Sequence, residues 1–581
     1  MKKCFTSIPG ILSLLFCLSS IPHAYGQNAA WQMAITPTQA TGGFSHVEAT
    51  AAGASGNVVI AGSFSGSLTL GTVTLTSAGA SDLFVAKWNS SSSSFSWVRQ
   101  AGGVGIDQAY AVAVNGTAIY VAGYFTGAAS SFGSQVLTNA GSTGTDDAFI
   151  VKLTDTGTNA TFAWAQRTGG TSDDEIHGLA VSGNAVYAAG SFSSPTADFG
   201  TLTLVNSSPS SASYDGFVAK VVDDGSSARF SWVQKAGGTG VDFAQAVAVN
   251  GPNIYLTGYF ASATANLGGI ILTNGSASTL FDVFIAKLTD TGNSASFVWA
   301  QKAGGASSDV ANSVVVQGSN VYVAGAFFSA TATFGSVSLT NPIITPVNSN
   351  VFIAKLIDLG ASSSFVWAQQ AGGSGLDQVD ALAVSGTAIY ATGSFKGGNA
   401  SFGATVLISP VNADVFVTKL TDTGTTGSFT WALQAGGDNN DYAKGITLTA
   451  TSVYIGGYVV PQAAFGSFTI ASPLGTSTGF LAAINDNTLT ALSKSKQLKQ
   501  LALYPNPAHL GVTSVVPGVL AGDLGTLTIT DATGRVALSQ AIVLKDNTGR
   551  HDVNLSGLST GLYLVRVWAA GKAAAQILAV E

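Results

Sequence analysis

Six polar side chains stand at one position in six near-copies of the same sentence: Tyr110, His177, Gln245, Asn312, Asp380 and Lys444. Each follows by three residues an aspartate that does not vary, namely Asp107, Asp174, Asp242, Asp309, Asp377 and Asp441. A constant carboxylate pins its own turn by accepting backbone N–H groups, or joins its fellows as an oxygen ring for calcium. Six unlike hydrogen-bonding groups in a repetitive frame suit contact with a ligand, if the fold brings them together. A water-filled channel tolerant of any polar residue would carry the same pattern. In the first copy the equivalent position is expected at Ala49 or Thr50.

One stretch offers reaction chemistry. Asp173, Asp174, Glu175 and His177 form an acidic cluster with a histidine. Paired carboxylates serve glycoside hydrolysis, and a histidine–acid pair serves proton abstraction from uronic acids. Asp174 already belongs to the repeat frame, which leaves few idiosyncratic groups for an enzyme. Of the five histidines, His23, His509 and His551 lie outside the repeats, and His46 with His177 do not make a zinc site of the usual kind. Neither a nucleophile elbow nor a phosphate-cradling glycine loop is expected. The sequence therefore assigns no catalytic residue, no metal and no cofactor.

Gathering six unlike groups requires a repeating scaffold. Trp31, Trp97, Trp164, Trp232, Trp299, Trp367 and Trp431 recur at spacings of 66, 67, 68, 67, 68 and 64 residues. Such a period marks a repeat architecture, in which each unit buries its apolar faces on its neighbours. In one copy, Asp107 opens the apolar run Ala109 to Val114, and Asn115-Gly116 turns into Ile119 to Phe125. A glycine hairpin surrounds Phe132-Gly133, then Asp147 to Leu153 follows, and Asp155-Thr156-Gly157 leads to the run ending in Trp164. Short runs bounded by Asn-Gly and Asp-x-Gly read as successive antiparallel hairpins. They are apolar on both faces, so both faces are covered. Four-stranded sheets, each buried against the next, describe a β-propeller.

Composition agrees. Charged residues are 9% of the chain, against roughly 25% in ordinary soluble domains. Glutamate occurs only at Glu48, Glu175 and Glu581, while aspartate, a turn former, is common. The net charge of −7 and the lack of a basic stripe speak against nucleic acid.

Asp-x-Phe-(Val/Ile)-x-Lys, Gly-Gly-x-x-x-Asp and Tyr-Val-x-Gly recur from about Trp31 to Asn487, and this pattern resembles the seven-bladed β-propeller repeat family. The resemblance implies an all-β fold with a seven-bladed β-propeller over residues 27–487. The last copy lacks a tryptophan strand after Phe480, whereas an orphan one precedes the first copy at Trp31. Trp31 to Ile35 is thus expected to complete the last sheet and close the ring, hiding edges that invite aggregation. The six variable residues open the strand nearest the axis and would ring one mouth of the channel. Lys87, Lys152, Lys220, Lys287, Lys355 and Lys419 read as ion-pair or snorkelling positions, and the seventh copy loses the lysine at Ala483.

The two ends speak of export. Lys2 and Lys3, the apolar run Ile11 to Leu18 and Ala24-Tyr25-Gly26 have the form of a signal peptide over residues 1–26. The apolar run is too short to span a bilayer, so no transmembrane segment is expected in the mature chain. Cys4 and Cys17 both leave with it, and no thiol remains. After a linker over 488–500 come Tyr504-Pro505-Asn506-Pro507, Asp531-Ala532-Thr533-Gly534-Arg535 and Leu558-Ser559-Thr560-Gly561-Leu562-Tyr563. These motifs resemble the C-terminal sorting domain of type IX secretion substrates in Bacteroidetes. The resemblance implies a small immunoglobulin-like β-sandwich over 501–581, the type IX secretion machinery as partner, and a secreted or outer-membrane-surface location. Taken together, the sequence reads as a binding or adhesion module for a glycan or surface protein. The alternative is a polysaccharide-degrading hydrolase or lyase on the same scaffold, with a purely structural envelope protein third.

Overall fold

The computed structural model describes residues 29–142, 144–209, 213–276, 279–343, 348–471, 477–486, 489, 501–504, 506–508, 512–516, 524–531, 536–543, 551–569 and 572–581. The expected signal peptide lies outside them, as does the expected linker apart from Leu489. The fold is all-β.

One repeat unit shows the plan. Asp107–Asn115, Ala118–Phe125, Asp147–Asp155 and Ala160–Thr168 lie side by side in chain order, each antiparallel to the next. Seven such units follow one another, with first strands Ser45–Ala52, Asp107–Asn115, Asp174–Ser182, Asp242–Asn250, Asp309–Gln317, Gln378–Ser385 and Tyr442–Leu448. The seventh unit takes its fourth strand from the other end of the chain. Ala30–Ile35 pairs with Thr478–Asn485, Trp31 opposite Ile484, beside Ser452–Val459, which carries Tyr454.

Each first strand packs against the first strand of the next unit, and Tyr442–Leu448 packs against Ser45–Ala52, so the series returns to its start. An apolar cluster fills every junction. The one that joins unit 7 to unit 1 holds Val47, Ile60, Phe84, Tyr454, Leu481 and Ala483. Because the second and third strands are apolar on both faces, each sheet buries one face on either neighbour.

Between units lies a recurring polar knot. Asp223 accepts Lys152 Nζ at 2.5 Å, the Tyr120 hydroxyl at 2.7 Å and Trp164 Nε1 at 3.0 Å, all three from the preceding unit. Asp290, Asp358 and Asp422 repeat the arrangement with the next lysine, tyrosine and tryptophan. Asp155 takes Lys87 and Trp97, and Asp486 takes Lys419 and Tyr390. A buried charge costs several kcal/mol, on the order of the gain from its partner, unless every lone pair is met; at Asp223, Asp290, Asp358 and Asp422 three side-chain donors and the N–H of Gly225, Gly292, Gly360 or Gly424 meet the carboxylate. Six of the sequence's lysines are therefore ion-paired across junctions.

Outside the principal strands, short hairpins hold neighbours together. Ala129–Phe132 pairs with the preceding unit's fourth strand, Ser130 opposite Gly103, and Thr264–Leu267 and Ala463–Phe465 do likewise. In the tail, a three-stranded and a four-stranded sheet share one core of Leu503, Val515, Leu527, Ile529, Val553, Val565 and Leu578. No helix among the described residues is long and apolar enough to cross a membrane.

Candidate functional site

Each first strand is interrupted by a β-bulge at one position. The register slips between Ala109 and Ala111, leaving Tyr110 unpaired, and the same slip isolates His177, Gln245, Asn312, Asp380 and Lys444. In unit 1 the slip falls between Val47 and Ala49, so the equivalent residue is Glu48, not Ala49 or Thr50 as expected from sequence. The register confirms it: Ser45 opposes Phe64 as Asp107 opposes Phe125. Serine in place of the guiding aspartate had hidden the alignment. A bulge inserts one residue and re-aims its side chain.

A glycine faces every bulge. A Cβ on Gly123 would land on the carbonyl oxygen of Gln108, and Gly62, Gly190, Gly258, Gly325, Gly393 and Gly457 meet the equivalent carbonyls of His46, Glu175, Phe243, Val310, Gln378 and Tyr442. The glycine of Tyr-Val-x-Gly is what lets the partner strand kink.

The seven bulge residues converge. Glu48, Tyr110, His177, Gln245, Asn312, Asp380 and Lys444 line one cavity of about 420 Å³, together with Glu175, Tyr259, Val310 and Gln378. All six residues singled out by sequence are thus in one place. His177, Gln245 and Asn312 also border a second cavity of about 490 Å³, which continues along the same strands past Val181, Val249, Val316, Leu382 and Val384.

Contacts within this collar of bulge residues run both inside units and from one unit to the next. Lys444 Nζ lies 3.0 Å from Asp380 Oδ1, and Gln378 Nε2 donates to the same carboxylate at 3.2 Å. Asn312 Nδ2 donates to the Val379 carbonyl at 2.8 Å, and Gln245 Nε2 to the Tyr259 hydroxyl at 3.0 Å. Rings continue the circle: Tyr110 lies 5.9 Å from His177, His177 lies 6.1 Å from Phe243, and His46 stacks on Tyr458 at 3.8 Å.

Burial sets the protonation states. It pulls His177 down to about 4, so the imidazole is neutral and its Nδ1, 3.8 Å from Glu175, holds no ion pair at neutral pH. Burial, then the charges of Asp146 and Asp173, lift Glu175 to about 8. Asp380 holds Lys444 firmly protonated against the opposing effect of burial.

The acidic cluster separates in space. Asp174 faces away into its turn, accepting the Gly170 N–H and the Ser194 hydroxyl, each at 2.6 Å. The repeated aspartates do the same: Asp107, Asp242, Asp309, Asp377 and Asp441 accept the N–H of Gly103, Gly238, Gly305, Gly373 and Gly437. Asp173 accepts the Asp146 N–H at 3.2 Å and the Tyr214 hydroxyl at 3.4 Å. Only Glu175 and His177 of that cluster reach the cavity. Among the described residues no group of three or more His, Asp or Glu could hold a metal ion.

Sequence reasoning missed Glu48, Gln378, Val310 and Tyr259. A signal existed: the residue directly after each constant aspartate also varies, as Gln108, Glu175, Phe243, Val310, Gln378 and Tyr442. It missed a second feature as well. Gly475-Thr476-Ser477-Thr478-Gly479 has the Gly-x-Ser-x-Gly form. Ser477 Oγ lies 2.7 Å from His46 Nε2, and His46 Nδ1 lies 3.5 Å from Glu48. Ser477 leads directly into the strand Thr478–Asn485, so it is not the strand-to-helix elbow of the α/β-hydrolases.

No curated protein matches the chain. Among solved structures, a protein of unknown function from Dyadobacter fermentans is similar at 8% identity and a TM-score of 0.34, over 79% of this chain and 99% of that one. A glycoside hydrolase family 32 structure from Bifidobacterium adolescentis is similar at 10% identity and a TM-score of 0.24, over 92% and 93%. Likenesses this shallow carry no functional weight. The tail is different, for it matches a family over its full length. Residues 502–581 are a secretion system C-terminal sorting domain, which marks the chain as type IX secretion cargo bound for the cell surface or beyond in Bacteroidetes.

Proposed function

We propose that the seven units form a closed seven-bladed β-propeller over residues 27–487, and that residues 501–581 form an immunoglobulin-like sandwich on a linker over 488–500. A signal peptide over 1–26 is removed on export. The protein is then a non-enzymatic binding or adhesion module of the cell surface, and its ligand, a glycan or a surface protein, sits in the collar. Tyr110, His177, Gln245, Asn312, Asp380 and Lys444 contact it, joined by Glu48.

One observation carries this reading: seven equivalent bulges deliver seven unlike side chains to a single cavity. A channel that merely holds water needs no bulge at all, and function concentrates where a rigid frame carries variable groups. Residues 27–581 applied to a glycan array test it. Binding that vanishes in the Asp380→Ala/Lys444→Ala double variant supports the module; binding indifferent to that variant refutes it. Removing both partners avoids a stranded charge.

The second reading, a hydrolase, draws on Ser477, His46 and Glu48 as nucleophile, base and acid. Labelling of Ser477 by a fluorophosphonate, lost in His46→Ala, would favour it. An unreactive Ser477 removes it.

A further inference from the structure

We propose that the collar takes an amino sugar whose amine is unblocked; this deepens the binding-module reading and rests on it. The first ground is charge. Glu48, Glu175 and Asp380 line the cavity, with Asp146 and Asp173 close behind Glu175. The one lysine of the lining, Lys444, is already held by Asp380 at 3.0 Å. His177 is neutral. Three carboxyl groups therefore line the cavity against one lysine, Lys444, whose charge Asp380 and Glu48 already share. An anionic ligand such as a uronate or a phosphate finds more carboxyl groups than cations there. A ligand ammonium replaces the proton that Glu175 otherwise carries, and a charge-assisted hydrogen bond to a carboxylate is stronger than a neutral one.

The second ground is hydrogen-bond polarity. Gln245, Asn312 and Gln378 donate their N–H groups to Tyr259, the Val379 carbonyl and Asp380 within the wall. Their amide oxygens are left to accept. A wall of acceptors calls for a ligand rich in donors, which a ring bearing hydroxyls and an ammonium supplies. A lysine side chain gathers its three N–H donors at one point on an apolar stem, whereas a sugar ring spreads donors along the wall, which favours the sugar.

The third ground is shape. About 420 Å³ falls within the range of small-ligand sites, and the rings of Tyr110 and Tyr259 stand in the wall. Aromatic faces attract both cations and the C–H faces of sugars.

Titration calorimetry of residues 27–581 tests this with four oligosaccharides and a peptide: a glucosamine oligomer, its N-acetylated counterpart, a neutral glucose oligomer, a uronate oligomer and a lysine-rich peptide. The glucosamine oligomer should bind roughly tenfold or more tighter than its acetylated counterpart, as befits loss of one charged hydrogen bond. Glu175→Gln and Glu48→Gln should each erase most of that preference, while Asn312→Ala weakens every sugar that binds. Equal or tighter binding of the acetylated, neutral or uronate oligomer overturns the amine. So does a preference that survives Glu175→Gln and Glu48→Gln together, and so does tighter binding of the lysine peptide. Neutral sugar binding that is lost in Asn312→Ala would sink the amine and leave the binding module standing. If none of the four sugars and no peptide binds, both fall.

Discussion

Tyr454, on the second strand of unit 7, shares an apolar cluster with Trp88 of unit 1, two residues before Ser90. At the other six junctions an aspartate stands where Ser90 does, paired with a lysine where unit 7 has Ala483. Acid and base are thus missing together from the seventh junction. Losing either alone would strand a charge between sheets. Their joint loss makes chemical sense if unit 7 packs on unit 1, because only then are the two positions partners.

That natural double replacement predicts a double-mutant cycle. Lys220→Ala leaves Asp290, 7% exposed at its side chain, with only the neutral donors Tyr187, Trp232 and the Gly292 N–H. It should cost about 3 kcal/mol, the lower end for breaking a buried pair. Lys220→Ala/Asp290→Ser, which copies the closing junction, should recover a large part of it in urea unfolding. A double variant less stable than the single would contradict the equivalence of the junctions.

The bulge predicts a coupled loss of stability and binding. In Gly258→Ala the added methyl meets the Phe243 carbonyl, so the strand must shift by the bulge that aims Gln245. Overpacking of this kind costs about 1–3 kcal/mol. Thermal unfolding should register it, and ligand affinity should fall although Gly258 touches no ligand.

Buried carboxylates set the pH dependence. Burial raises Asp107, Asp242, Asp309 and Asp377 to about 6, and Asp174 and Asp441 to about 7. A raised folded value means that the native state binds more protons, so this contribution is full below the unfolded value of 3.8 and fades as pH rises through 6 to 7. Asp155, Asp223, Asp290, Asp358 and Asp422 behave oppositely. Burial pulls them up, but the hydrogen bonds from the junction lysine, the aromatic side chains and the turn N–H together outweigh it and their values fall, so their contribution is lost only in stronger acid. Stability should therefore peak at about pH 4–5 and decline toward pH 8. Melting curves across that window check the slope, and Asp174→Asn should flatten it.

The tail predicts location. A chain lacking residues 502–581 should accumulate inside the producing cell instead of at its surface or in the medium, followed by fractionation and immunoblot. Surface display of the truncated chain would show that another part carries the export signal.

Much of this is legible in the sequence. A period near 67 residues fixed the unit, and the orphan Trp31 told which strand the last unit lacked. The six collar residues stood out because they vary where everything around them repeats. What stayed hidden was relative placement. Glu48 was missed because Ser45 replaces the aspartate that marks the register elsewhere. The acceptor of Lys152 was unreadable because Asp223 sits a full repeat away, and spacing alone does not say which copies touch. Bulges were invisible for a related reason: one extra residue leaves no compositional trace, only a glycine on the partner strand.

The ring itself is most directly tested by a cross-link between the chain's two ends. Ala34 and Ala482 face each other across the closing strand pair and share one apolar cluster, and a chain beginning at residue 27 has no other cysteine. Ala34→Cys/Ala482→Cys should oxidise to an intramolecular disulfide in the monomer and melt at a higher temperature than its reduced form. Free thiols after oxidation, or bonds formed only between chains, would mean that the amino-terminal strand does not complete the seventh sheet and that the collar is not closed.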